Sequence, residues 1–256
     1  MDLKKVKEKL ERLKNGGNTN AGWWKIKDGE HIVRIAPNPK YDDSLLEFHM
    51  HYGVGGGKDG SFLCPKKNFK EKCPVCDFAS ELWNEGGDSI NLAKKLFAKQ
   101  RFFSPVVVRG EEKEGIRWWS YSKTVYESIL KLMDNPDYGD ITDPDNGTDL
   151  IVNYGTPKGK LYPDTTIQPR RKSSLFCVDV TGEECQEMIE NMPDIKNLLS
   201  RKTSDEVKAI LDQFLLSSSD KDAEGGSKET EKYGKEEAKK EEEKSSIDKA
   251  FEELDA

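Results

Sequence analysis

Hydrophobic positions along the chain follow two periods, and the change between them separates predicted strands from predicted helices. Short segments rich in β-branched and aromatic residues, bounded by Gly, Pro or Asp, are typical of strands. Such segments are residues 31–36, 45–52, 105–108, 116–121, 150–154 and 175–180. Apolar residues spaced by three and four positions predict helices at 77–85, 123–133, 183–191 and 204–216. Segment 89–104 is compatible with a helix or with an extended arm that leads into the next strand.

The two ends of the chain have no such core pattern. Residues 1–14 place four apolar residues at helical spacing among six basic and three acidic residues. This stretch is either an arm that docks on something acidic or a frayed terminal helix. Residues 218–256 are low in complexity and carry 14 acidic and 8 basic residues, so they hold most of the net charge of −7. We therefore expect a basic arm at 1–20, a core at 21–217 and a disordered acidic tail at 218–256.

The last residues of the tail change character. Ile247, Phe251 and Leu254 are spaced as on one face of a helix and are surrounded by acidic residues. A short acidic amphipathic motif at the end of a tether suits docking into a basic groove of a partner protein. The alternative is an inert solubilising tail, and the three spaced apolar residues favour docking.

Hydropathy and cysteine content favour an intracellular protein. No apolar run approaches the ~20 residues needed to span a bilayer, and the N-terminus lacks the pattern of a signal peptide. We therefore expect no membrane association. Three of the five cysteines have metal-ligand spacing, which fits a reducing cytoplasm. The other two, Cys177 and Cys185, are interpreted as ordinary thiols.

A cluster of metal-ligand residues lies between 51 and 76. The spacing is His51-x12-Cys64-x8-Cys73-x2-Cys76, inside a glycine-rich loop. Four N and S donors match the tetrahedral preference of Zn²⁺, and a set filled entirely by protein is typical of a structural ion rather than a catalytic one. We predict one structural Zn²⁺ in a subdomain at about 48–87. His49 is an alternative first ligand, and a disulfide with a spare thiol is the alternative chemistry.

Two basic segments contain aromatic residues. The first, 89–110, has no acidic residue and contains Lys94, Lys95, Lys99, Arg101, Arg109, Phe97, Phe102 and Phe103. The second, 155–174, contains Lys158, Lys160, Tyr162, Arg170, Arg171 and Lys172. Cations that follow phosphates, combined with rings on which bases stack, form grooves for single-stranded nucleic acid. Because neighbours in a strand face opposite sides, we also expect one of Trp118 and Trp119 at a surface or groove.

The fold class expected from these features is α+β. It consists of an OB-fold-like antiparallel β-barrel with an inserted zinc-binding subdomain, flanking helices and the disordered acidic tail. Enzymatic function is not expected: the loop G-V-G-G-G-K lacks the spacing of a nucleotide-hydrolysis motif, and no Ser/His/Asp set is plausible. Two other classes stay open. One is a zinc-stabilised protein-interaction adaptor that acts through its acidic tail, and the other is a metal-dependent hydrolase.

The chain resembles the single-stranded-DNA-binding, helix-destabilising proteins of T-even and related tailed bacteriophages. The resemblance rests on I-V-R-I-A-P, on the His-x12-Cys…Cys-P-V-Cys cluster, on the basic-aromatic run into P-V-V-V, and on E-G-I-R-W-W-S-Y-S-K-T-V. It implies a protein of phage DNA replication, recombination and repair in the host cytoplasm. Such a protein coats and protects single strands, contacts neighbouring copies of itself, and recruits phage replication and recombination proteins through its tail. This chain has eight residues between the second and third ligands, where the family has nine.

The resemblance also implies roles for individual residues. Positions that match DNA contacts of the family are Arg34, Phe102, Phe103, Trp119 (or Trp118 if the register shifts by one) and Tyr162. Because Phe102 and Phe103 are neighbours in a strand, we expect one of the two rings in the core. Lys94, Lys95, Lys99 and Arg101 lie in the corresponding basic stretch. In the N-terminal arm, Lys4, Lys5 and Lys7 match the self-association segment, although Glu8 follows them here where the family has Ser or Thr.

Overall fold

A computed structural model describes residues 22–41, 43–54, 60–178 and 181–222 of the chain, with side chains up to residue 217. The predicted arm with Lys4, Lys5 and Lys7, and the docking motif Ile247, Phe251 and Leu254, lie outside the described residues. The chain divides into two compact units. One contains residues up to Phe48 together with Gln100–Ser200, and the other contains His49–Lys99 together with residues from Arg201 onward.

Strands and helices are numbered in chain order. The strands are β1 (Gly29–Ile35), β2 (Leu46–Tyr52), β3 (Ser61–Leu63), β4 (Lys99–Val108), β5 (Arg117–Tyr121), β6 (Thr148–Gly155) and β7 (Asp164–Ser173). The helices are α1 (Pro65–Phe69), α2 (Pro74–Glu85), α3 (Ser89–Leu96), α4 (Lys123–Met133), α5 (Gly182–Glu190), α6 (Ile195–Leu198) and α7 (Ser204–Asp222). Within the described residues, no helix combines the length and apolar character that crossing a membrane requires.

The first unit is built on an antiparallel sheet with the strand order β5-β4-β1-β6-β7. Alternate residues of these strands point into one core, for example Val33 and Ile35 on β1 and Leu150 and Val152 on β6. Helix α4 closes that core with its inward residues, such as Ile129. The mixed α and β composition and the antiparallel sheet confirm the coarse fold class predicted from the hydrophobic pattern.

Both adjacent tryptophans of β5 are buried, so the prediction that one of them lies at a surface or groove is wrong. Trp118 is 1% exposed and Trp119 is 2% exposed. Trp119 faces the core, where its ring packs edge-on against Trp24 at 5.7 Å. Trp118 points to the other side, where its indole N–H donates to the Pro193 carbonyl at 2.7 Å. The segment around Pro193, 75 residues downstream, therefore covers the face of β5 that the alternation of its residues predicts to be exposed.

The adjacent phenylalanines of β4 are also buried on both faces of their strand. Phe102 stacks on Tyr126 with ring centroids 3.9 Å apart. Phe103 packs between Trp23 and Phe48, at centroid distances of 5.7 and 5.9 Å. Neither ring presents a face to solvent, since their exposed fractions are 1% and 2%.

Arg34 on β1 is fully buried in an ion network centred on Asp149 of β6. Its Nη1 lies 3.6 Å from the Asp149 carboxylate, and its Nη2 donates to the Asp143 carbonyl at 2.6 Å. Arg109 forms a bidentate pair with the same carboxylate, at 3.1 and 2.8 Å. A Cβ added at Gly147 would meet Arg34 Nη2 at 2.5 Å, so this position needs glycine.

Three further expectations require correction. Residues 175–178 do not form a strand, because Arg109 takes the Leu175 and Phe176 carbonyls as hydrogen-bond acceptors. Cys177 and Cys185 are paired in a disulfide rather than left as thiols. The last helix runs to Asp222, so the tail is not irregular from residue 218.

The ion network gives a prediction about stability. Replacing Asp149 with Asn leaves Arg34 and Arg109 buried without a counter-charge, so we expect the free energy of unfolding to fall by about 3–5 kcal/mol. Urea denaturation measures this change. The matched control is Asp145→Asn on the exposed loop, which should change stability by less than ~0.5 kcal/mol. Equal effects of the two substitutions would contradict the role assigned to Asp149.

Candidate metal centre and nucleic-acid surface

Local structure brings the four predicted metal ligands together in the second unit. β2 and β3 pair antiparallel with His51 opposite Phe62, and β3 leads directly to Cys64. Cys64 and Cys73 are the N-caps of α1 and α2, and each is followed by a proline at the first helical position. Proline is pre-set for that position, and a helix N-terminus favours the thiolate form of cysteine.

The donor atoms of His51, Cys64, Cys73 and Cys76 lie within 4.8 Å of one another, and all four residues are buried. Cys64 Sγ is 3.4 Å from Cys76 Sγ, and His51 Nε2 is 3.3 Å from Cys73 Sγ and 3.5 Å from Cys76 Sγ. Tetrahedral Zn–S and Zn–N bonds place such donors about 3.5–3.8 Å apart. The four residues therefore fit one tetrahedral metal ion.

A hydrogen bond fixes which nitrogen of His51 faces the cluster. Nδ1 lies 2.8 Å from the Leu96 carbonyl, which leaves Nε2 directed at the thiols. A hydrogen-bond partner of this kind orients metal-ligating histidines generally. His49, the alternative ligand, is not part of the four-residue group. Its backbone carbonyl instead accepts from the Cys64 N–H and the Asn68 amide.

The packed donors perturb one another's protonation. Hydrogen bonds with Cys73 and Cys76 lower the pKa of Cys64, whereas those with Cys64 and Cys73 raise the pKa of Cys76. Burial lowers the pKa of His51, but hydrogen bonds with Cys64 and Cys73 outweigh it and raise the value to about 9. These protons must leave when a cation binds, so metal affinity falls as the pH falls.

The apolar core of the second unit surrounds the metal cluster. Cys64, Cys73 and Cys76 belong to the same buried cluster as Phe62, Leu82 and their neighbours on α2 and α3. Val207 and Leu211 of α7 complete it. Thr203 and Glu206 cap α7 reciprocally, because the side chain of each accepts a hydrogen bond from the backbone N–H of the other. The metal ligands are therefore part of the packing of this unit.

The predicted DNA-contacting residues fall into two groups in the structure. Arg34, Phe102, Phe103 and Trp119 are buried, and Arg101 is half-buried with its guanidinium donating to Ser120 Oγ. The exposed group consists of Lys94, Lys95, Lys99, Tyr162, Arg170, Arg171 and Lys172. Only the exposed group can meet a ligand without rearrangement of the core.

The β6–β7 hairpin carries the exposed ring. The Tyr162 side chain is 78% exposed at its tip, beside Leu161 at 90%. Arg170 lies further along β7, 51% exposed and 3.9 Å from the Asp149 carboxylate. Sequence reasoning singled out neither Leu161 nor Asp149. The available signal for Asp149 was a carboxylate directly before the apolar run Leu150–Val152.

Metal binding gives the next prediction. We expect His51→Ala to lose the bound ion and to lower Tm by at least ~10 °C, because structural metal binding contributes to folding directly. His49→Ala, two residues away, is the matched control and should keep the ion. Elemental analysis of the purified proteins and thermal unfolding measure both effects. Retention of one metal equivalent by His51→Ala would contradict the ligand set.

Comparison with known proteins identifies the family. A sequence family model described as "gp32 DNA binding protein like" matches residues 27–215. A comparison with curated proteins gives no significant match. The family match spans well over half of the chain and includes the metal cluster, all seven described strands and both basic segments. The chain therefore belongs to the family of gp32-like DNA-binding proteins, the phage single-stranded-DNA-binding family that its sequence resembles.

Proposed function

We propose that this protein binds single-stranded DNA during phage DNA replication, recombination and repair, in the cytoplasm of the host. It coats and protects the strand and recruits replication proteins, and it performs no catalysis of its own. The observation that carries the proposal is the family match across residues 27–215.

The exposed cations support this function through phosphate contacts. On the first unit, Arg170, Arg171 and Lys172 are exposed along β7, and Tyr162 offers a ring at the hairpin tip. On the second unit, Lys94 and Lys95 are exposed in the last turn of α3. Cations of this kind bind the DNA backbone without reading sequence, and their contribution weakens with salt.

The buried residues that match family DNA contacts have a supporting role in this proposal. Arg34 fixes the Asp143 carbonyl and the Asp149 carboxylate, and Phe102, Phe103 and Trp119 fill the core of the first unit. We propose that they hold the strands that display the exposed cations.

We further propose that the fold of the first unit is OB-fold-like. Its five antiparallel strands pair in a non-sequential order, with β1 between β4 and β6. A five-stranded, partly open Greek-key barrel is the general description of the OB fold. The ion in the second unit is proposed to be Zn²⁺, because three thiolates with one imidazole favour it and a full tetrahedral set makes it structural.

The two chain ends complete the proposal. The basic arm at 1–20, with Lys4, Lys5 and Lys7, contacts neighbouring copies along the DNA. The acidic tail at 218–256 docks on replication and recombination proteins through Ile247, Phe251 and Leu254. The charge and spacing of these residues support both roles.

Salt-dependent binding tests the proposed function. Anisotropy of a labelled oligo(dT), measured at several salt concentrations, should give an affinity that falls linearly on a log–log scale. Alanine at Arg170, Arg171 and Lys172 together should weaken binding and reduce the salt slope by roughly 2, because each phosphate that a cation neutralises on a single strand contributes about 0.7.

The control variant removes the same charge elsewhere. Alanine at Lys113, Lys123 and Lys131, all exposed, should leave the salt slope within error of the wild type. If the wild type does not bind oligo(dT), the proposed function fails. Capture of replication proteins by residues 246–256 in that case would support the adaptor alternative.

A further inference from the structure

One face of the first unit's sheet carries three chemically different rows of side chains. Alternate residues of a strand share a face. The strand register places Glu30 beside Asn153 and Asn153 beside Thr166, across β1, β6 and β7. Two residues along, Ile32 lies beside Ile151, which pairs with Gln168. A further two residues along are Arg34, Asp149 and Arg170, which meet in the ion network.

The rows divide this face into a cationic end and an acceptor end. The arginine row, with Arg109, holds three guanidiniums around one carboxylate. At the other end, the carboxylates of Glu30 and Asp164 are both exposed. Strand geometry separates the first and third rows by about 13 Å. The half-buried isoleucine row between them offers an apolar surface.

A cleft of about 400 Å³ opens at the acceptor end. Its lining includes Glu30, Asn153, Tyr154, Pro157, Asp164 and Thr166. Within the described part of the chain, no hydrogen bond or ion pair engages the Glu30 carboxylate or the Asn153 side-chain amide. Lys160 pairs with Asp164 at 2.8 Å, whereas the Glu30 carboxylate keeps its acceptor capacity.

The charge of the cleft decides which part of a nucleotide fits it. The Glu30 carboxylate repels a phosphate, Lys160 offsets the charge of Asp164, and no lysine or arginine is among the residues that line the cleft. A nucleobase is uncharged and can lie against Pro157. Because carboxylates only accept hydrogen bonds, they favour a base that presents an amino group and disfavour one that presents a carbonyl at the same position.

We propose that this cleft is a nucleobase subsite that prefers bases with an exocyclic amino group, with Glu30 as the residue that sets the preference. Phosphates of the same strand then lie toward Arg170, where the face is cationic. This inference rests on the proposed single-strand binding and adds a base preference to it. Glu30 accepts the amino hydrogen, and the Asn153 amide can donate to an adjacent ring nitrogen or carbonyl.

Two oligonucleotides that differ only along the hydrogen-bonding edge of the ring test the proposal. In oligo(dC), carbon 4 carries an amino group and ring nitrogen 3 accepts, whereas in oligo(dU) of equal length carbon 4 carries a carbonyl and nitrogen 3 donates. At pH 7.5 we expect wild-type protein to bind oligo(dC) about threefold to tenfold more tightly than oligo(dU). Anisotropy at fixed salt gives the ratio of the two affinities.

Substitution of Glu30 identifies the residue responsible. Glu30→Gln can donate as well as accept, so the dC/dU ratio should fall to about one. Glu81→Gln removes one exposed negative charge from α2 and should keep the wild-type ratio. General electrostatic effects of losing a charge act equally on both oligonucleotides and cancel in the ratio.

The outcomes separate this inference from the function on which it rests. Binding of both oligonucleotides with equal affinity, or a preference that Glu30→Gln leaves unchanged, overturns the base subsite and leaves single-strand binding standing. Failure to bind either oligonucleotide overturns the proposed function and the subsite together. A preference for oligo(dC) that Glu30→Gln abolishes and Glu81→Gln retains supports the subsite.

Discussion

The first unit depends on one buried carboxylate. Asp149 is 2% exposed and faces three arginines that come from β1, β7 and the residue after β4. An isolated arginine as deeply buried as Arg34 would be strongly destabilising, so the carboxylate is what allows a guanidinium at the centre of the sheet. Arg109 in turn takes the Leu175 and Phe176 carbonyls, and that is why the chain leaves the sheet after β7. The Asp149 carboxylate also lies 3.9 Å from the exposed Arg170. It therefore links the stability of the sheet to the position of an exposed cation on its surface.

The two units reach stability by different physical means. The first has a core of strand residues and aromatic rings closed by α4, with enough apolar area to fold around it. The second has three short helices, a two-strand hairpin and α7, and its buried cluster includes three cysteines. Thiols packed 3.4 Å apart with an imidazole gain little from apolar burial alone. A cation bound by these four residues would convert a set of competing proton donors into four bonds, and its binding would then be coupled to folding.

Features that depend on nearby residues could be predicted from the sequence, and features that depend on distant ones could not. The candidate metal donors lie within 26 residues, and their spacing predicted the cluster, although it left His49 open as an alternative to His51. Helix 123–133 was predicted at its observed bounds, because the spacing of its apolar residues and the polar residues on either side indicate the same start and end. The burial of Trp118 requires Pro193, and that of Arg34 requires Asp149. Neither partner carries a local signal, because an aspartate before an apolar run and a proline in a loop are common features. For this reason the sequence predicts one ring of each adjacent aromatic pair at a surface or groove, although tertiary contacts bury both rings of each pair.

Burial of these rings changes how a single strand can be held. A groove that relies on stacking needs several exposed aromatic side chains, yet on the first unit Phe102, Phe103, Trp118 and Trp119 are all internal. The exposed ring left near the β6–β7 hairpin is that of Tyr162 at its tip. Contact with the bases must then come largely from strand side chains, whose register is fixed by the sheet. One end of this face is cationic and the other is rich in hydrogen-bond acceptors, so the phosphate and the base of a nucleotide interact with it differently. With the proposed subsite, phosphates are drawn to the cationic end and bases to the other end, and the sheet then determines the orientation of a bound strand.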